Sequence, residues 1–141
     1  PQTTIVADLS SAPHIPSDTF DCIVFSQTLM LIYDLHSTIE TLYRILKPGG
    51  VILATLGGIC PSTDEHAWDR NWCWRFTSVS AERLFKENFP EDSVEVQGYG
   101  NLFVCISFLS GLATEELQKE ELDYFDHNYE ILITVRAIKQ V

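Results

Sequence analysis

The side chains of this 141-residue chain that could do more than pack fall into three groups. Asp8 and Leu9 follow a short β-branched run. Ser26-Gln27-Thr28-Leu29 follows a continuous apolar run, with Tyr33 and His36 just beyond. Trp68, Asp69, Trp72, Trp74 and Arg75 crowd one long segment. A loop carboxylate such as Asp8 accepts hydrogen bonds from its own turn or from a ligand amine; read alone, it is a turn acid. Polar residues at the C-terminal end of a buried parallel strand sit where open α/β sheets bind ligands, and they also make hydrogen-bonded turns. His36 has the chemistry of a general base, although a lone histidine at a helix start is commonly structural. Tryptophans beside an arginine suit a ring-shaped or anionic ligand, or simply cover the edge of a sheet.

These groups need elements to hold them. Thr3–Ala7 is β-branched and reads as a strand, and 8–18 as a polar loop with two prolines. Cys22–Ser26 is apolar without alternation, the pattern of a strand buried on both faces. Asp34 can cap a helix over Leu35–Leu46, whose residues Leu35, Ile39, Leu42 and Ile45 share one face. Pro48-Gly49-Gly50 then turns the chain into a second buried strand, Val51–Leu56. Strand, helix and strand in that order form a right-handed crossover of a parallel sheet. Further on, Ser80 reads as the cap of a helix from Ala81 to about Asn88, Ser93–Gln97 as a strand, and Asn101–Ala113 as a buried helix. An acidic helix follows from Thr114 to about Tyr124, and Ile131–Ile138 is the last strand. Gly98-x-Gly100 follows a strand, but a nucleotide loop would need its third glycine where Phe103 stands, so it reads as a plain turn.

Composition narrows the function classes. The net charge of −11 repels phosphate backbones, so a nucleic-acid partner is not expected. No apolar run is long enough to span a bilayer and no signal pattern opens the chain, which favours the cytoplasm and no membrane partner. The four cysteines have no C-x-x-C spacing, the four histidines are scattered, and no metal site is expected. Cys22 and Cys105 lie in apolar runs and read as small core residues. The length suits a single domain, 1–141.

Asp8-Leu9, then Ile15-Pro16-x-x-x-Phe20-Asp21-Cys22-Ile23-Val24, then Arg44-Ile45-Leu46-Lys47-Pro48-Gly49-Gly50 resemble class I S-adenosylmethionine-dependent methyltransferases of the type-11 group. The resemblance implies an α/β fold: a partial Rossmann-like methyltransferase sheet, mostly parallel with an antiparallel last strand. It also implies methyl transfer from S-adenosylmethionine to a small-molecule acceptor. Asp8 matches the acid that accepts from the adenine amino group, and Leu9 a backbone contact to the ring. Ser26, Gln27 and Thr28 match the segment lining cofactor and acceptor pockets. Tyr33 and His36 become candidates for catalysis, and Trp72, Trp74 and Arg75 for acceptor recognition.

The family holds the rest of its cofactor with a glycine-rich loop after the first strand and an acid after the second, and neither pattern occurs here. The chain therefore reads as the C-terminal part of a methyltransferase, with weak or no cofactor binding and probable inactivity expected of it alone. In the family order three-two-one-four-five-seven-six, Cys22–Ser26 is the fourth strand and lacks its inner neighbour. Either Thr3–Ala7 pairs with it, or another chain covers that edge, as in a homodimer. The alternative function is a non-catalytic interaction module that kept the fold and lost the cofactor.

Overall fold

The structure, a computed structural model, describes residues 4–61 and 72–141. His66, Trp68 and Asp69 lie outside the described residues. Four strands form one sheet in the order β1 (Phe20–Ser26), β2 (Leu46–Gly57), β4 (Leu132–Ile138), β3 (Val94–Tyr99). β1 and β2 are parallel, and β4 runs antiparallel to both β2 and β3. Three strands thus point one way and the last opposes them. This is the four-five-seven-six half of the order that the family resemblance implies.

The crossover from β1 to β2 is α1 (Leu35–Ile45). Asp34 caps it, its carboxylate accepting from the Ser37 backbone N–H at 3.1 Å and the Ser37 hydroxyl at 2.7 Å. Its apolar face buries Ile39, Leu42 and Ile45. Arg44 points back and donates to the carbonyls of Ala12 and Ile15, both at 2.7 Å, which pins the loop ahead of β1. The helix stops at Ile45, and Leu46 already pairs with Phe20. Lys47-Pro48-Gly49-Gly50 is therefore the entry of β2 rather than a free turn. Gly49 makes the bend at φ +75°, and its N–H donates to the Lys139 carbonyl at 2.8 Å.

The second covering helix is α2 (Ser78–Lys86). Its cap is Thr77, not Ser80: Ser80 sits three residues on and completes a capping box with Thr77. Ala81, Leu84 and Phe85 join Ile39 and Leu42 against Phe25, Ile52, Leu56, Ile133 and Val135 in one core.

Several expectations are corrected. Residues 4–7 form no strand and do not pair with β1, although Ile5, Ala7 and Leu9 line a groove of 420 Å³ with Ile23 and Phe25. β1 is buried on one face only. Phe25 is 5% exposed while Val24 is 74% exposed, and Cys22 is an exposed residue rather than a core one. Cys105 is buried, and burial raises its thiol pKa. The run from Asn101 gives α3 (Leu102–Leu109), shorter than expected and not buried: Phe103, Ile106 and Leu109 are about half exposed. The acidic stretch is not one helix but a 3₁₀ turn at Thr114–Glu116 and the short α4 (Lys119–Asp123). The cause is shared, since α3 meets α4 rather than the sheet and neither gains a covering layer.

Candidate functional site

The C-terminal ends of β1 and β2 meet in a knot of hydrogen bonds. Ser26 Oγ lies 2.9 Å from Thr55 Oγ1, and the Gln27 N–H donates to the Thr55 carbonyl at 2.9 Å. The Gln27 side-chain amide donates to Thr55 Oγ1 at 3.3 Å, and Thr28 Oγ1 donates to the Ser26 carbonyl at 2.8 Å. Gln27 holds φ at +48°, a left-handed conformation that non-glycine residues seldom adopt and that recurs where function fixes the backbone. Thr55 is the hub, and its signal was available as the one hydroxyl residue between the apolar run 51–54 and Leu56. Beside this knot Gly57 leaves room, because a Cβ there would stand 3.2 Å from Met30 Cε and 3.6 Å from Gln27 Oε1.

The segment after the second strand returns to the first. The Met30 carbonyl accepts from the N–H groups of Cys73 at 2.8 Å and Trp74 at 3.2 Å. Trp74 Nε1 donates to the carbonyls of Ile32 and Tyr33 at 3.1 and 3.2 Å. Two clefts flank this segment. The smaller, 330 Å³, brings together Tyr33, His36 and Trp74 with Asp34 and Leu35. His36 Nδ1 lies 2.6 Å from Glu87 Oε2 at the end of α2, and the imidazole stays largely in solvent.

The larger cleft, 590 Å³, is lined by Gly58, Cys60, Arg75, Ser78, His127 and Glu130, among others. Arg75 Nε donates to the Cys60 carbonyl at 3.2 Å. Glu130 accepts from the Ser78 N–H at 2.8 Å at the start of α2, and its carbonyl accepts from Ile59 at 2.9 Å. Gly58 is required there, since a Cβ would fall 2.2 Å from the Glu130 carbonyl oxygen. Glu130 and His127 have no periodic signature in the sequence and were not anticipated. Trp72 lines neither cleft; it packs against the core, with its Nε1 buried and unpartnered among the described residues.

Asp8 and Leu9 lie ahead of β1. Asp8 Oδ1 accepts from the Ser10 N–H at 2.9 Å and the Ser10 hydroxyl at 2.7 Å. Those bonds hold its carboxyl below the usual carboxylate range. It is an exposed anion beside a half-buried leucine, a hydrogen-bond acceptor next to an apolar surface. Gly98 and Gly100 approach their own backbone and side chains: a Cβ at Gly100 would meet the Tyr129 carbonyl at 2.7 Å, and one at Gly98 the Glu130 carboxylate at 2.4 Å. Both pack against residues 129–130, and the expected turn is corrected: Gly98 and Tyr99 belong to β3, paired with Ile133 and Leu132 of β4, and only Gly100 lies beyond the strand. No group of metal-ligand type occurs among the described residues, and none of their helices is long and apolar enough to cross a membrane.

Known proteins share this fold. Residues 1–54 match the methyltransferase domain family. The ubiquinone/menaquinone biosynthesis C-methyltransferase UbiE of Haemophilus ducreyi is 41% identical over 46 residues, which are 31% of this chain and 18% of that protein. Phosphoethanolamine N-methyltransferase 2 of Haemonchus contortus, solved with S-adenosyl-L-methionine, superposes with a TM-score of 0.60 at 18% identity. That alignment covers 95% of this chain and 36% of that one. A possible histamine N-methyltransferase of Thermotoga maritima gives 0.61 at 17% identity, covering 95% and 62%. The amino-terminal sequence is thus similar to the methyltransferase domain family, and the fold is that of S-adenosylmethionine-dependent methyltransferases of known structure. The aligned part of the chain spans 18%, 36% and 62% of these three proteins, less than two thirds of each.

Proposed function

We propose that this chain serves methyl transfer from S-adenosylmethionine to a small-molecule acceptor and supplies the acceptor side of the site. The observation that carries the reading is the stitched edge itself. Ser26, Gln27 and Thr55 are bonded together at the end of the parallel pair, and the 73–75 segment is drawn onto that edge between two clefts. Ligands of open α/β sheets sit at such an edge. Trp74 lines one cleft and Arg75 the other, so a single short segment offers an aromatic face and a cation to the acceptor.

Asp8 and Leu9 would hold the adenine, and Ser26–Thr28 the part of the cofactor nearer the sheet. S-adenosylmethionine brings an activated sulfonium methyl, so the protein's share is to position the acceptor and exclude water. His36, oriented by Glu87 through Nδ1, keeps Nε2 for a proton, and Tyr33 stands beside it. Asp8, Leu9 and Ser26–Thr28 account for only part of the cofactor, so the 141-residue chain by itself binds it weakly and is inactive. Methyl incorporation from labelled S-adenosylmethionine into candidate acceptors, by the natural protein that carries this chain, tests the reading. Incorporation that falls at least tenfold in Asp8→Ala through a raised cofactor KM is the expected result. No incorporation by a folded protein sinks it.

A second reading is a non-catalytic interaction module, and the bare side of β1 favours it. Val24 is 74% exposed on a strand whose outer edge pairs with nothing among the described residues. On either reading that edge can take a second copy of the chain, which sedimentation at rising concentration would show as a dimer.

A further inference from the structure

The smaller cleft has a chemistry of its own. Tyr33 and Trp74 form its aromatic wall, with ring centroids 5.7 Å apart and planes tilted by 31°. The indole N–H is spent on the Ile32 and Tyr33 carbonyls, which fixes the ring and leaves its π face as the surface on offer. The Tyr33 residue is 77% exposed, an aromatic side chain held out in water against Trp74. Opposite charge is on hand. Asp34 lines the cleft, and its bonds to Ser37 hold its carboxyl below the usual range, so it stays ionised at neutral pH. Glu87 stands on the far side of His36. Among the described residues no lysine or arginine lines the cleft.

We propose that the Tyr33–Trp74 cleft binds an alkylammonium group. Electron-rich ring faces attract such a cation, and the carboxylates of Asp34 and Glu87 add to that attraction. An anion is refused at the start of α1 even though helix N-termini favour anions, because Asp34 already occupies that end. The net charge of −11 adds a field of the same sign over the surface. That the ammonium belongs to the methyl acceptor rests on the proposed function; that the cleft binds one does not.

The test is an NMR titration of the 141-residue chain, following the Trp74 indole N–H, with choline and with its neutral isostere 3,3-dimethyl-1-butanol. Choline is expected to shift the signal saturably in the millimolar range, and the isostere to bind at least tenfold more weakly. Tyr33→Leu, at an exposed position, should abolish the choline response while leaving the rest of the spectrum in place. Equal binding of the two probes, no response to either, or full choline affinity in Tyr33→Leu each overturn the proposal. None of these readouts needs the cofactor. Methyl transfer without choline binding would therefore leave the proposed function intact, and choline binding without methyl transfer would leave the cleft.

Discussion

The two faces of the sheet start from similar strand residues and end in opposite surroundings. On one face Phe25, Ile52, Leu56 and Val135 are at most 5% exposed beneath α1 and α2. On the other, Val24 and Leu53, paired neighbours in β1 and β2, are 74% and 43% exposed. Nothing in the run from Cys22 to Phe25 marks which of its side chains will be covered. What differs is the layer above. The helices that follow β1 and β2 in sequence both fall on one side, and the apolar helix α3 does not reach the other. An apolar face without a layer is a place for more protein, which accords with solved relatives of which this chain spans 36% and 62%.

The comparison can be broken by substitution, and the largest effect belongs to the covered face. Phe85 of α2 is 0% exposed, and Phe85→Ala should cost about 3–5 kcal/mol by chemical denaturation. Gly58→Ala should come next, at about 1–3 kcal/mol, because its Cβ would meet backbone that cannot swing away at 2.2 Å. Thr77→Ala, which removes the cap of α2, should cost about 1 kcal/mol. Asp34 contributes a pH dependence. Its pKa in the folded chain lies below the reference 3.8, so its contribution is present above that value and lost as pH falls through the folded one. In Asp34→Asn the acid limb of a stability profile should flatten below about pH 4. The smallest effect belongs to the bare face, where Val24→Ser should change stability by no more than about 0.5 kcal/mol. A large loss at Val24 would mean that this face is covered in solution.

The strands β2, β3 and β4 and the helix α1 were legible because each carries a period or an apolar run bounded by a cap or glycines. Burial was not, since Cys22 and Val24 look like Phe25 in sequence and only the neighbouring layer separates them. Composition misled at α3, whose Phe103, Ile106 and Leu109 are left about half exposed beside the short α4. At the site, Ser26–Thr28 stand at the end of β1, where the apolar run places them, whereas Asp8 follows no strand because residues 4–7 form none. The meeting of Tyr33 with Trp74 could not, because two loops 41 residues apart are joined by carbonyls that sequence does not display. Glu130 was hidden for the same reason: its place depends on Gly58, Gly98 and Ser78 converging on it.

The proposed function puts cofactor and acceptor at the C-terminal ends of β1 and β2, with the adenine at Asp8 and Leu9 and the adjoining part of the cofactor at Ser26–Thr28. The most direct measurement is an NMR titration of the 141-residue chain with S-adenosylhomocysteine, read at the backbone amides. The account predicts shifts at Asp8, Leu9, Ser26, Gln27 and Thr28, with an affinity of about a millimolar or weaker. Saturation at micromolar concentration, or shifts centred on Gly98–Asn101, would contradict it.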